Sequence, residues 1–173
     1  YSDARTQEFL LGEVDKLVQE YKGTPGLLLY LLGNENNYGL FWAGAETEDF
    51  PDDEQERKYV GENRGRPMYR LMNEAAKRIK ANDLSHPVAI CNGDVLFIDI
   101  VAEECKDIDI YGTNVYRGIS FGDIFQVVKN KLNKPILFTE FGADAFNAIE
   151  NMEDQKSQAY YLIGNWKEIN ENA

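Results

Sequence analysis

Residues that commonly bind metals or form disulfides are scarce: the sequence has two cysteines and one histidine among 173 residues. Cys91 and Cys105 form no CxxC pair and no spacing typical of zinc ligands. His86 precedes Pro87 at the start of a predicted strand, where we expect it to have a structural role. The sequence therefore predicts two buried free thiols and a functional site with no metal and no cofactor.

Positive charge is also scarce, because 18 Lys and Arg face 30 Asp and Glu and give a net charge of −12. Nucleic-acid backbones and anionic membrane surfaces bind clustered Lys and Arg, so we expect neither as a partner. No stretch reaches the roughly 18 apolar residues of a membrane span, and residues 1–20 lack the basic and then apolar pattern of a leader peptide. The charge does not exclude neutral ligands as partners.

What is present suits one globular domain over residues 1–173, with 43% hydrophobic and 28% charged residues and no linker that divides the chain. Apolar residues at spacings of three and four predict helices from residue 3, Pro67, residue 95, Ser120 (in a capping box with Asp123) and Asn151. In the last of these helices the predicted buried face consists of Ala159, Leu162, Ile163, Trp166 and Ile169. The segment 36–66 lacks periodicity and is predicted to be a loop with at most a short helical turn.

Four apolar or β-branched strands lie between these helices. The first is the six-residue run "LLLYLL" before Gly33, and the others lie in "HPVAICNG", "DIDIYGTNVY" and "KPILFTEFG". Strands that alternate with helices pair in parallel through right-handed crossovers. The sequence therefore predicts an α/β fold with a parallel sheet.

Polar side chains follow the strands where each one ends: Asn34 and Glu35, Asn92, Tyr116, and Glu140. In parallel α/β folds, ligands bind beyond these carboxyl ends. A Glu at the rim of a buried strand loses hydration, and a single one can be satisfied by backbone donors or by a Lys. Two such Glu residues in one cleft suit a proton donor and a nucleophile that together break a glycosidic bond.

The motifs "GNE", "NVY" and "TEFGAD", in this order on successive strands, resemble the active-site motifs of retaining glycoside hydrolases of clan A, most nearly family 2. The resemblance implies a partial (β/α)8 barrel made of strands four to seven, and a carbohydrate substrate. It implies that Glu35 is the acid/base, that Glu140 is the nucleophile, and that Tyr116 donates a hydrogen bond to Glu140. Asn34 would bind the 2-hydroxyl of the sugar.

Two further residues are candidates for substrate binding. Trp42 follows Glu35 in its loop, where an indole either stacks on a sugar ring or anchors the loop by burial. Asn92 either lines the same cleft or only forms a turn. The sequence does not decide between these alternatives.

A full barrel of this kind needs about 250 residues, so the resemblance implies a piece of a longer glycosidase. We expect the isolated piece to be inactive and to self-associate through its two open sheet edges. A carbohydrate-binding or transglycosylating relative is the first alternative. An unrelated open α/β domain for a phosphate-bearing ligand is the second, although no phosphate-binding glycine motif follows any strand. Only the family analogy suggests a secreted or periplasmic location, and the sequence does not name the sugar.

Overall fold

The computed structural model describes residues 1–41 and 53–173. In chain order the helices and strands are α1 (Ala4–Tyr21), β1 (Tyr30–Leu32), α2 (Glu54–Val60), α3 (Arg66–Asn82), β2 (Val88–Gly93), α4 (Ile98–Glu104), β3 (Ile110–Val115), α5 (Ile124–Lys131), β4 (Ile136–Phe141), β5 (Phe146–Asn147), β6 (Met152–Glu153) and α6 (Gln155–Asn172). A 3-10 turn, Tyr38–Phe41, follows β1, and a π-helical turn, Gly61–Gly65, joins α2 to α3.

Strands β1 to β4 form a parallel sheet in the order β1-β2-β3-β4, while β5 and β6 form a separate antiparallel pair. The helices alternate with the four parallel strands, which confirms the predicted α/β arrangement and is compatible with part of a (β/α)8 barrel. Closure into a barrel stays a prediction. In the described part of the chain, β1 and β4 are the two edges of this sheet.

The core lies around β2, which is buried at every residue, as expected for a strand covered on both faces. Tyr69 of α3 and Tyr111 of β3 are both fully buried against it. The predicted free thiols are confirmed, since Cys91 and Cys105 are both buried and unpaired with each other. None of the described helices is long and apolar enough to span a membrane.

Strands β3 and β4 change register once. Thr113 pairs with Phe138, but the next residue, Asn114, pairs with Glu140, so Thr139 is an extra residue in β4. A β-bulge of this kind bends the strand and turns side chains away from strict alternation. It lies directly before the predicted nucleophile.

The predicted loop at 36–66 is wrong in its second half, where α2 continues through the π-helical turn into α3. Asp53 caps α2 by accepting a hydrogen bond from the Gln55 N–H, and Glu62 binds Arg66 at 2.8 Å one turn later. Charged residues with good helix propensity hold this helix without an apolar stripe, which is why periodicity missed it.

Two predicted helix starts are also wrong. Helix α5 begins at Ile124, because the Ser120 hydroxyl accepts from the Gly122 N–H in a local turn and Asp123 makes no capping bond. Helix α6 begins at Gln155, where Asp154 accepts from the Ser157 N–H. At α5 a local turn uses the predicted capping side chain, and at α6 a polar residue closer to the helix serves as the cap instead.

The predicted buried face of α6 is wrong as well. Four of its five residues are exposed and Ile169 is partly buried: the exposed ones are Ala159, Leu162, Ile163 and Trp166. The buried residue of α6 is Asn165, whose Nδ2 donates to the Gly118 carbonyl at 3.0 Å. Within the described structure nothing covers the apolar side of this helix.

Candidate active site

A cleft of about 740 Å³ lies at the carboxyl ends of the four parallel strands. Its lining includes four of the predicted site residues: Asn34, Glu35, Tyr116 and Glu140. The first two follow β1, Tyr116 follows β3, and Glu140 belongs to β4. Residues more than 100 positions apart in the sequence thus meet in one place, because parallel strands end on the same side of the sheet.

Tyr116 and Glu140 are in direct contact. The Tyr116 hydroxyl donates a hydrogen bond to Glu140 Oε2 at 2.9 Å. Loss of hydration, this hydrogen bond, and the negative charges of Glu140 and Glu35 together raise the pKa of the Tyr116 hydroxyl. The phenol therefore stays protonated, and it can donate to the carboxylate throughout the neutral range.

Glu35 is held in a left-handed backbone conformation, with φ at 51°. Such a conformation is unfavourable for a residue with a Cβ atom and is common where function requires it. Its N–H donates to the Cys91 carbonyl at 3.0 Å, and its own carbonyl accepts from the Tyr38 N–H at 3.0 Å. These two hydrogen bonds fix the backbone turn after β1. The turn places Glu35 in the cleft.

The Glu35 carboxylate is bound by a side chain of β3, the second strand from β1 in the sheet. Asn114 is 2% exposed, and its Nδ2 donates to Glu35 Oε1 at 3.0 Å and to Asn34 Oδ1 at 3.3 Å. The amide oxygen of Asn114 accepts from the Thr139 hydroxyl at 2.5 Å. Asn114 therefore connects β4 with the residues that follow β1.

Cys91 lies beneath the same group of side chains. Its thiol is 3.3 Å from Asn34 Oδ1, 3.4 Å from Asn114 Oδ1 and 3.2 Å from Thr139 Oγ1. A thiol is a weak donor, so it adds packing and a modest polar contact. The floor of the cleft is therefore polar but buried.

An ion pair closes one wall of the cleft. Both carboxylate oxygens of Asp94, which follows β2, accept from Arg117, at 2.8 and 2.6 Å. Arg117 also donates to Asp123 at 2.8 Å and to the Phe121 carbonyl at 3.0 Å. Because Arg117 is the residue after Tyr116, its bidentate ion pair with Asp94 anchors the loop that carries the tyrosine.

Tyr38 forms part of another wall, close to the end of β2. A Cβ atom on Gly93 would lie 2.3 Å from Tyr38 Cε2, so glycine is required for the ring to pack there. The Gly93 backbone is held by Asn37, whose Nδ2 donates to the Gly93 carbonyl at 2.9 Å and whose Oδ1 accepts from its N–H at 2.8 Å. Tyr38 thus stands beside Glu35 on a rigid support.

Asn92 is not brought to the cleft, although the sequence offered it as a substrate-binding candidate. It is 3% exposed, its Oδ1 accepts from the Tyr69 hydroxyl at 2.6 Å, and its Nδ2 donates to the Asp94 and Leu96 carbonyls at 3.0 Å. The hydrogen bonds of the Asn92 amide are therefore made to other groups of the protein interior. The other candidate, Trp42, lies outside the described residues.

His86 also has internal partners. Its Nδ1 is 2.7 Å from Asp83 Oδ2, and the Tyr30 hydroxyl donates to the same oxygen at 2.9 Å. These contacts lie near the start of β2, away from the cleft. Across the described residues, no group of three or more His, Cys, Asp and Glu side chains could hold a metal ion.

Comparison with known proteins gives results at the level of fold. No protein-family model matches the sequence, and no curated protein matches it. Among solved structures, the β-D-glucuronidase of Dictyoglomus thermophilum matches with a TM-score of 0.56 and 18% identity, over 98% of this chain and 27% of that enzyme. A calcium-binding mutant of β-glucuronidase 2 from Bacteroides uniformis matches with a TM-score of 0.65 and 15% identity, over 99% of this chain and 21% of that enzyme.

The chain is similar in fold to a segment of each of these two enzymes. It spans about a quarter of the length of these two enzymes. At such low identity the likeness concerns the fold, so the chemistry of this chain has to be argued from its own side chains.

Proposed function

We propose that this chain carries the catalytic centre of a retaining β-glycosidase, with Glu35 as acid/base and Glu140 as nucleophile. One observation carries the proposal: both carboxylates line one cleft together with Tyr116, whose hydroxyl donates to Glu140. A retaining mechanism needs two carboxyl groups roughly 5 to 5.5 Å apart, with different roles.

In the first step, a Glu140 oxygen attacks the anomeric carbon while the bond from that carbon to the leaving oxygen breaks. Glu35 gives its proton to the leaving oxygen, and a glycosyl ester of Glu140 results. In the second step, Glu35 takes a proton from water, the water oxygen bonds to the anomeric carbon, and the ester bond breaks. Glu140 is thereby released as a carboxylate and Glu35 is protonated again.

The partners of the two carboxylates suit this division of roles. The Tyr116 hydroxyl donates to Glu140 Oε2, which orients the carboxylate and leaves its other oxygen for attack. Asn34 is exposed at the cleft, and its Oδ1 is held by Asn114 and Cys91. Among the described residues its Nδ2 has no acceptor, so it is suited to donate to the 2-hydroxyl of a sugar as charge develops at the anomeric carbon.

The proposed substrate is a β-linked carbohydrate. Because the two structural neighbours are β-glucuronidases, a β-glucuronide is one candidate substrate. We infer that the active protein is longer than this chain and that other strands complete the sugar site. Residues 1–173 alone are then expected to hydrolyse aryl β-glycosides negligibly, because the substrate would be incompletely positioned.

Variants of both carboxylates in the full-length gene product test the proposal. Glu140→Gln should reduce hydrolysis of every aryl β-glycoside to background. Glu35→Ala should slow the hydrolysis of glycosides with poor leaving groups by about 10² to 10⁴-fold. The first step with a 2,4-dinitrophenyl glycoside should be unaffected, because 2,4-dinitrophenolate leaves without a proton. Added azide should restore turnover in Glu35→Ala and give a β-glycosyl azide, because azide needs no general base.

Glu74→Gln is the matched control, because Glu74 is an exposed carboxylate on α3 that pairs with Lys77. It should keep full activity. The proposal is wrong if Glu140→Gln still hydrolyses these substrates, or if Glu35→Ala is slowed equally for all leaving groups and does not respond to azide.

A further inference from the structure

The bulge in β4 places two consecutive residues, Thr139 and Glu140, toward the site. In a regular strand neighbouring side chains point to opposite faces. Here the Thr139 hydroxyl contacts Asn114 Oδ1 at 2.5 Å, while Glu140 meets the Tyr116 hydroxyl at 2.9 Å. The register shift at this position is what allows both contacts.

The buried amide of Asn114 uses all of its polar capacity in one orientation. Its oxygen receives the Thr139 hydroxyl and the Cys91 thiol, and its nitrogen donates to Glu35 and Asn34. An amide has one accepting end and one donating end, so a rotation by 180° would break these contacts together. The rotated amide would place its oxygen against Glu35.

We propose that Thr139 is a positioning residue for the acid/base, because its hydroxyl holds the oxygen end of the Asn114 amide while Asn34 Oδ1, which can only accept, holds the donating end toward Glu35. The proposal rests on the acid/base role of Glu35. An ionised Glu35 only accepts hydrogen bonds and would itself select this orientation. A protonated Glu35 tolerates either end of the amide, so at the start of the reaction Thr139 and Asn34 Oδ1 together hold the orientation.

The selection matters because a rotated Asn114 would accept the Glu35 proton. That proton would then be shared with an amide oxygen instead of the leaving oxygen of the substrate. With Thr139 and Asn34 Oδ1 both bound to it, the amide of Asn114 keeps its donating end toward Glu35, and the acid proton stays available for the leaving oxygen. Loss of the Thr139 hydroxyl should therefore harm the reactions that depend on protonation of the leaving group.

The kinetic test compares leaving groups in the full-length gene product. Thr139→Val should lower kcat/KM for an alkyl or p-methoxyphenyl β-glycoside by roughly 10 to 100-fold, and for the 2,4-dinitrophenyl glycoside by less than about 3-fold. Thr139→Ser keeps the hydroxyl and should restore wild-type values. An equal fall for every leaving group, or no rescue by Thr139→Ser, would overturn the proposal.

Thr113→Val is the matched control, because Thr113 is a fully buried threonine of β3 whose hydroxyl donates to the Asp94 carbonyl at 3.2 Å. It removes the same group from the neighbouring strand without touching Asn114. Its effect on kcat/KM should be the same for all leaving groups.

A second readout needs no turnover and uses the 173-residue chain itself. In ¹⁵N-labelled protein, the side-chain amide hydrogens of Asn114 should exchange with solvent at least about 10-fold faster in Thr139→Val than in wild type or Thr139→Ser. Equal exchange rates would overturn the positioning role and leave the proposed role of Glu140 as nucleophile unaffected. Absence of turnover in the full-length wild type would instead overturn the proposed function, and the acid/base role with it.

Discussion

The Tyr116 hydroxyl donates to Glu140 Oε2 at 2.9 Å, across the adjacent strands β3 and β4. A hydrogen bond to a charged acceptor is shorter and stronger than one between neutral groups. It fixes which oxygen of the carboxylate remains for attack. The contact also depends on the loop after β3, which Arg117 fastens to Asp94.

Removal of this hydroxyl should slow the formation of the glycosyl ester. Tyr116→Phe is expected to lower kcat roughly 10 to 100-fold in the full-length gene product, since hydrogen bonds to charged groups contribute about 1.5 to 3 kcal/mol. Pre-steady-state kinetics with a dinitrophenyl glycoside measure this step. Tyr160→Phe is the control, because Tyr160 is a 64% exposed tyrosine on α6. Equal ester-formation rates in Tyr116→Phe and wild type would refute the role of the hydroxyl.

Asn34 should act through the 2-hydroxyl of the sugar. Asn34→Ala is expected to lose about 10²-fold or more in kcat/KM on the parent β-glycoside, because contacts to the 2-hydroxyl tighten in the transition state and supply several kcal/mol. On the 2-deoxy substrate, wild type and Asn34→Ala should react at similar rates, since the contact is already absent. A further large loss in Asn34→Ala on the 2-deoxy substrate would show that Asn34 works by another route.

Stability should fall at alkaline pH through Tyr30. Burial and the hydrogen bond to Asp83 raise the pKa of the Tyr30 hydroxyl to about 12, above its ordinary value of about 10. Since the folded state holds this proton more tightly, its stabilising effect is complete below pH 10 and is lost as the pH rises through about 12. Urea unfolding between pH 9 and 12 should show the free energy of unfolding of wild type falling relative to that of Tyr30→Phe.

Tyr59→Phe is the control for that measurement, because it removes a hydroxyl from a 64% exposed position on α2. Parallel pH profiles for wild type and Tyr30→Phe would mean that the Tyr30 proton is not held more tightly in the folded state.

Self-association of residues 1–173 remains a prediction from the open sheet. Strands β1 and β4 each have one unpaired edge in the described sheet. Large apolar side chains are also exposed on α1, on β1 and the segment before it, and on α6: Phe9, Leu28, Leu31, Ile163 and Trp166. Light scattering should detect dimers or larger species at micromolar concentration, and Ile163→Lys with Trp166→Glu should weaken them. A monodisperse monomer that persists across dilution would contradict this expectation.

Much of the fold followed from apolar periodicity and from polar residues at strand ends. Those signals placed the four parallel strands, and they selected Asn34, Glu35, Tyr116 and Glu140, which the structure brings to one cleft. They failed where a helix is held by charged side chains, as in α2, and where no described element covers an apolar face, as in α6. Periodicity reports which face is apolar, and it cannot report what covers it.

The sequence also missed the residues that support the carboxylates. Asn114 was visible as part of the "NVY" stretch, but its contact with Glu35 depends on the spacing between strands. Thr139 stands in the motif "TEFGAD", but its contact with Asn114 could not be predicted, because the bulge that permits it appears only when β3 and β4 pair. Asn92 misled for a related reason: an amide at a strand end serves the protein interior as readily as a ligand.

The most direct test of the account is covalent trapping with a 2,4-dinitrophenyl 2-deoxy-2-fluoro-β-glycoside in the full-length gene product. The fluorine slows hydrolysis of the glycosyl ester, so the intermediate accumulates. We expect a mass increase of one glycosyl group per protein molecule, located by peptide mapping on Glu140 and absent in Glu140→Gln. Sugar binding without an adduct, as in a carbohydrate-binding relative, or an adduct on any other residue would contradict the account.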